Sequence, residues 1–310
     1  MTHSNTRKLL SKVGATAAAS IMFAAAIPAS GAEMYSSIPA TLPGNVPSVG
    51  FEATSASEFG DRVKFAVGSG GRVKSVTVVM SSWGCESGHW YSGDCLTTSG
   101  ATFSHPITLK LYADGAPNPG LSLATTTQTF AIPYRPSADP LNCTGANAGK
   151  WYNAAELTCY NGFATEVTFV LPGAGVAVPS DTVVWGVAYN TTHYGSAPIG
   201  ESAACYTASG GCGYDSLNVG LNTSPPLVGT DVDPNGVYWN TSYALNYCDG
   251  GAGGVNTFRL DDGCWAPYVP MAEFIGATAN DCKKEGWQSF TNPTFKNQGA
   301  CVSYFEHLKH

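Results

Sequence analysis

Ile107-Thr108-Leu109-Lys110-Leu111-Tyr112 alternates apolar and polar side chains one by one. A β-strand sends successive side chains to opposite faces, so a period of two is the mark of a half-buried strand. The odd positions are expected to face a core and the even positions water. Working outward, 73–80 alternates before turning apolar, and 126–132, 166–171 and 182–189 repeat the pattern. Shorter candidates lie at 62–67, 217–221, 237–239 and 257–260. Asp114-Gly115, Pro119-Gly120, Pro172-Gly173 and Asn235-Gly236 supply turn chemistry between them. No window of a dozen residues carries a 3.6-residue period; helical turns are expected at most near 153–158 and in the tail. The reading is an all-β chain, a two-sheet antiparallel sandwich of jelly-roll-like type, with a closed barrel as the alternative.

Two stretches, 133–161 and 191–215, are too long for ordinary sandwich turns, and each contains a cysteine pair. A long loop with no core of its own needs a covalent tie to stay ordered. The ten cysteines fall into neighbours: Cys85 and Cys95, Cys143 and Cys159, Cys205 and Cys212, Cys248 and Cys264, Cys282 and Cys301. Ten cysteines admit on the order of a thousand pairings, so connectivity is not deducible; neighbour pairing is the economical assignment. The Gly-rich run at 250–254 leaves Cys248 room to reach elsewhere. Zinc ligation is the rival, but no pair has the two-to-four-residue gap of a zinc knuckle.

Disulfides imply an oxidising compartment, and the start of the chain agrees. Residues 1–32 read as a signal peptide: Arg7, Lys8 and Lys12 precede an uncharged, Ala-rich run at 13–27, and Ser30-Gly31-Ala32 offers small residues before Glu33. That run is shorter than the roughly 20 residues of a spanning helix, and no later segment is long and apolar enough to span. The expected organisation is a leader at 1–32, a β-sandwich domain at 33–279 and a disulfide-closed C-terminal segment at 280–310. The mature protein is expected to be extracellular, at the cell surface or in the matrix.

Charged residues make up 12% of the chain, about half the usual share. The whole chain has 15 basic and 22 acidic residues; without the three basic residues of the leader the balance is 12 against 22, a net of −10. Such an acidic body speaks against nucleic acid, whose phosphates demand a basic face.

Candidate binding residues are the aromatics of the cysteine loops. Trp90 and Tyr91 follow His89 between Cys85 and Cys95, Trp151 and Tyr152 lie between Cys143 and Cys159, and Tyr214 and Asp215 follow Cys212. Ring faces on rigid loops suit carbohydrate, because the C–H face of a pyranose stacks on them and a rigid loop has little entropy left to lose. The competing reading folds these rings over their own disulfides as satellite cores. Asp231-Val232-Asp233-Pro234-Asn235-Gly236 matches the opening of a calcium loop, with Asp231, Asp233 and Asn235 as candidate ligands. The match then fails, since Ser242 stands where a bidentate Glu is required. Catalytic signatures such as G-x-S-x-G and H-E-x-x-H are missing. His193 with Asp215, or two unspaced carboxylates of a glycosidase, are the catalytic alternatives.

The tail resembles a known segment. Cys282-Lys283-Lys284-Glu285-Gly286-Trp287-Gln288-Ser289-Phe290, followed by Phe295-Lys296-Asn297-Gln298-Gly299 and Cys301-Val302-Ser303-Tyr304, is similar to a short C-terminal segment of secreted proteins of actinobacterial type. Glu285 stands where that pattern has Gly. Val79-Met80-Ser81-Ser82-Trp83-Gly84-Cys85, Ile132-Pro133-Tyr134-Arg135-Pro136 and Tyr214-Asp215-Ser216-Leu217-Asn218-Val219, with 107–112 and 185–192, resemble a family of secreted bacterial proteins without an assigned activity. The resemblance implies an extracellular β-sandwich and names no catalytic residue.

The expectation for function is a secreted, non-catalytic sandwich that binds cell-wall or other extracellular carbohydrate, or a surface protein. An extracellular polysaccharide hydrolase and a self-assembling surface protein are the alternatives.

Overall fold

The 107–112 alternation is the middle of a longer strand, Thr102–Ala113, in which every odd position from Phe103 to Leu111 is buried. The computed structural model describes residues 31–51, 54, 56–67, 71–189, 217–241, 257–290 and 293–307. In chain order the strands are β1 (Ala32–Ser36), β2 (Ser48–Val49), β3 (Ala56–Lys64), β4 (Arg72–Ser82), β5 (Thr102–Ala113), β6 (Ser122–Pro133), β7 (Trp151–Asn153), β8 (Thr158–Tyr160) and β9 (Phe163–Val170). Then come β10 (Val176–Ala177), β11 (Thr182–Ala188), β12 (Leu217–Asn222), β13 (Thr230–Asp231), β14 (Gly236–Thr241), β15 (Arg259–Asp262), β16 (Val269–Pro270) and β17 (Ala272–Gly276). One helix, α1 (Gln298–His307), closes the chain.

The strands form two large antiparallel sheets. One runs β1-β17-β4-β12-β16, with β9 and β10 on the other edge of β4 and β2 beside β12. The second runs β15-β14-β3-β11-β5-β6, with β13 beside β3. They are open sheets stacked face to face, not a closed barrel. Val76, Val78, Met80, Phe169 and Phe274 from the first meet Phe59, Leu109, Trp185 and Trp239 from the second in one core. Aromatic edges cross the interface, with Trp185 and Phe274 centroids 6.3 Å apart and Phe130 and Phe169 4.9 Å apart. At the lateral seam between β6 and β9, the Gln128 amide donates to the Val170 carbonyl at 2.8 Å. A side chain thus supplies the hydrogen bond a neighbouring strand would have made.

β4 loses its alternation for a local reason. Val79 points away from the main core, and there it is covered by Val46, Ala164 and Met271, with Ile38 and Leu42 packed alongside. A strand buried on both faces reads as a continuous apolar run. The expected helical turn at 153–158 is instead the turn of the β7–β8 hairpin, where Leu157 takes a left-handed φ of 52°. Strands β1 and β17 carried too little alternation to be expected, yet they pair with each other and β17 pairs with β4.

The C-terminal segment docks on the body. Phe290, Phe305 and the Cys282–Cys301 disulfide form a small cluster with Ala174 and Ala277. The Arg72 guanidinium lies over the Phe290 ring at 5.5 Å and donates to the carbonyl of Gly175 at 2.5 Å. Lys74 pairs with Asp281. Glu285 has φ 66°, a conformation costing a residue with a Cβ roughly 1 kcal/mol.

Candidate functional site

Strand order gives the sandwich two unlike ends. Short turns such as 114–121 and 232–235 close the end that carries the C-terminal segment. The opposite end receives the connectors 83–101 and 134–162, because Ser82 pairs with Phe163 and Thr102 with Pro133. Thr108 pairs with Ala188 and Thr241 with Ala56, so the flanks of the 189–216 and 242–258 stretches stand there as well. The two described long connectors therefore share one end, an arrangement in which a rigid scaffold presents binding loops.

Disulfides Cys85–Cys95 and Cys143–Cys159 close the first two connectors, as neighbour pairing expects. Cys264 is also disulfide-bonded; Cys205, Cys212 and Cys248 lie outside the described residues. The two closed loops touch backbone to backbone. A Cβ on Gly149 would stand 2.6 Å from the Gly93 Cα, and both residues have positive φ. Fully buried Arg135 joins them from behind: its Nη2 donates to the Gly149 carbonyl at 2.9 Å, and its amide donates to Gly84 at 2.9 Å. Ser137 laces the same region, its Oγ accepting from the Thr97 amide at 2.8 Å.

The aromatics divide. Trp151 is only 5% exposed; its indole donates to the Gly162 carbonyl at 2.7 Å, and its ring packs on Tyr160 and Phe163. It is the wedge that seats the hairpin, so its expected binding role is corrected to a packing one: no ring face is open to a ligand. Tyr152 is half-buried on the same hairpin. Trp90 stands edge-on to Trp83, with centroids 4.7 Å apart at 86°, and edge-on to Tyr91 at 6.0 Å. Tyr91 is 48% exposed, and Trp83, His89 and Trp90 are half-buried. The Trp83 indole donates to Ser81 at 3.0 Å, which fixes the ring that backs Trp90. Tyr214 and Asp215 lie outside the described residues, as does His193.

At the same end of the sandwich a cleft of about 670 Å³ opens where β6 ends and β9 begins. Tyr134, Pro136 and Phe163 supply its apolar walls, hydroxyls of Thr97, Thr102 and Ser137 its rim, and Glu166 a carboxylate. Glu86 stands in a shallow extension beside Thr97 and Thr98. The Thr98 amide donates to Glu86 at 2.6 Å and holds its carboxyl below the usual range, so Glu86 is ionised. Sequence reasoning overlooked Arg135, Tyr134 and the 97–102 wall. Their only signal was membership of segments between strands, because the cleft is assembled from separate connectors.

The calcium motif folds differently from its expectation. Asp233-Pro234-Asn235-Gly236 is a turn closed by the Gly236 amide on the Asp233 carbonyl at 2.7 Å. Asp233 faces the Arg62 guanidinium at 3.4 Å, and Asn235 Oδ1 accepts from the Ala266 amide at 3.1 Å. Asp231 turns into the sandwich, where its field reaches Tyr35 and Asp61. Asp231 Oδ1 accepts from the Asp233 amide at 3.0 Å, while the Asp233 carboxylate and the Asn235 amide turn to Arg62 and Ala266; no group of three or more His, Cys, Asp or Glu able to hold a metal occurs among the described residues.

Asp231 carries a consequence for pH. Burial pushes its carboxyl up from 3.8 to about 6, and buried Asp61 is raised well above its ordinary value by the same cause. A raised carboxyl favours the protonated fold, so stability is full at about pH 4 and falls as pH rises through about 6. The difference is about 2 kcal/mol, after discounting because Asp231 borders an open cavity. Melting temperature is expected to fall from pH 4.5 to pH 7 in the native chain. Asp231→Asn should flatten that slope; an unchanged slope in the variant would remove Asp231 as its source.

No family model, curated protein or solved structure matches the chain.

Proposed function

We propose that the protein is a secreted, non-catalytic carbohydrate-binding sandwich, acting at the cell envelope or in the surrounding matrix, with the loop-bearing end as its binding surface. The observation that carries this is the Trp90–Tyr91 pair on the covalently closed 85–95 loop, with Tyr91 48% exposed and half-buried Trp83 backing Trp90 from just outside that loop. Pyranose rings stack on such faces. The Thr and Ser hydroxyls of the rim offer hydrogen bonds to sugar hydroxyls, and loops already tied by disulfides lose little entropy on binding. Three disulfides, with no described helix long and apolar enough to cross a membrane, support the extracellular setting.

The test is adsorption of the mature protein to insoluble cell-wall and matrix polysaccharides. The double variant Trp90→Ala, Tyr91→Ala should lose about 30-fold in affinity, the scale of an anchoring aromatic pair, with its melting temperature nearly unchanged. Equal adsorption by native and variant protein would refute this assignment of the surface.

A further inference from the structure

Charge at the loop-bearing end is one-sided. Glu86 and Asp94 lie on the first closed connector, Asp139 and Glu156 on the second, and Glu166 in the cleft. The basic residues of the two connectors are Arg135 and Lys150. Arg135 is fully buried, its guanidinium donating to backbone carbonyls behind the loops. Lys150 Nζ donates to Asn147 at 2.9 Å.

The carboxylates sit close to the rings. Asp94 Oδ1 accepts from the amide of His89, the residue before Trp90, at 2.8 Å. Glu166 shares the cleft lining with Tyr134 and Phe163. The Thr98 amide satisfies Glu86 while leaving its negative charge in place, since an amide donor stabilises the ion without neutralising it. Aromatic faces attract ammonium groups through the ring quadrupole. Rings and carboxylates therefore favour the same ligand charge.

We propose that the glycan taken at this end carries protonated amines: an amino-sugar polymer with free ammonium groups, as opposed to a uronate- or phosphate-bearing polymer. This rests on the carbohydrate-binding reading and specifies the ligand within it. An anionic polymer would meet an excess of like charge, five carboxylates against the half-buried Lys150, whereas ammonium groups would meet both carboxylate and ring faces.

The experiment compares retention of the mature protein on partly deacetylated chitin, fully acetylated chitin and cross-linked polygalacturonate, at pH 6 in low salt. Retention should be strongest on the deacetylated polymer and weakest on the polyanion. Raising salt to about 0.5 M should collapse the preference, because screening shortens the reach of exposed charges. Glu86→Gln with Glu166→Gln should reduce retention on the deacetylated polymer by about three- to ten-fold, two exposed charge contacts' worth. Trp90→Ala with Tyr91→Ala separates this from bulk attraction to an acidic protein: it keeps the charge, so retention that survives it overturns the proposal. Equal or stronger retention on acetylated chitin or the polyanion also overturns it and leaves the carbohydrate reading standing. Failure to adsorb to any of the three overturns it and counts against that reading too.

Discussion

Gly60→Ala is expected to abolish folding or to cost more than about 4 kcal/mol, the range reserved for changes the surroundings cannot absorb. Gly60 lies in β3, between Gly186 of β11 and Tyr238 of β14. A Cβ there would stand 1.9 Å from the Trp185 carbonyl oxygen and 2.6 Å from the Gly186 Cα. Both are backbone atoms of the neighbouring strand, so no side-chain rotation relieves the overlap. The β3–β11 ladder would have to open at the centre of its sheet, beside fully buried Trp185. Gly71→Ala is the matched control, because the nearest atom to its added Cβ is 3.8 Å away. Urea midpoints should separate the two variants widely. A Gly60→Ala protein that melts with the native one would overturn the pairing of β3 with β11.

Removing the Cys282–Cys301 bridge, as Cys282→Ala with Cys301→Ala, should release the C-terminal segment while leaving the sandwich folded. The bridge closes a loop across a separation of 19 residues, which corresponds to about 3 kcal/mol of loop-closure stabilisation. The segment is held by a small cluster, Phe290 and Phe305 around the disulfide with Ala174 and Ala277 from the body, by the Arg72 contact and by the Lys74–Asp281 pair. That cluster is separate from the main core, and so small a unit does not hold together without its staple. Limited proteolysis should cut the variant within 283–300 at a rate at which the native chain survives, with the main melting transition unmoved. A main transition that drops by the same few kcal/mol would show one cooperative unit instead of a docked segment.

The strand pattern was legible where one face of a strand meets core and the other meets water. β5 is the plainest case, with Phe103, Ile107, Leu109 and Leu111 buried and the intervening residues more exposed. It was blurred wherever a second layer covers the outer face, as Val46 and Met271 cover Val79. Edge strand β1 contributes Met34 and Tyr35 to the core, yet its alternation is too short to stand out. In α1 only Cys301 and Phe305 are buried, an apolar stripe too thin for a helical period to register.

The candidate site was legible only in part. Cysteine spacing pointed to the closed loops, and aromatic residues between the cysteines pointed to Trp90 and Tyr91. The same logic applied to Trp151 led to a ring that the fold buries. Sequence cannot rank two tryptophans in similar loops, because burial depends on what arrives from elsewhere in the chain. Gly44 and Gly162, far apart in sequence, approach Trp151 from two sides; a Cβ on Gly44 would lie 2.7 Å from its ring and the Gly162 carbonyl takes its indole proton.

By itself, then, the sequence determined the all-β class and the antiparallel sandwich, because strand period is a property of contiguous residues, and it pointed to the neighbour pairing that three disulfides show. Only the tertiary structure decided that the 83–101 and 134–162 connectors share one end, that Arg135 is buried between them, and that the Asp233 and Asn235 side chains turn to partners away from Asp231. Those outcomes depend on strand order and register. Both are set by which distant apolar faces bury each other, and no local stretch of chain encodes that choice.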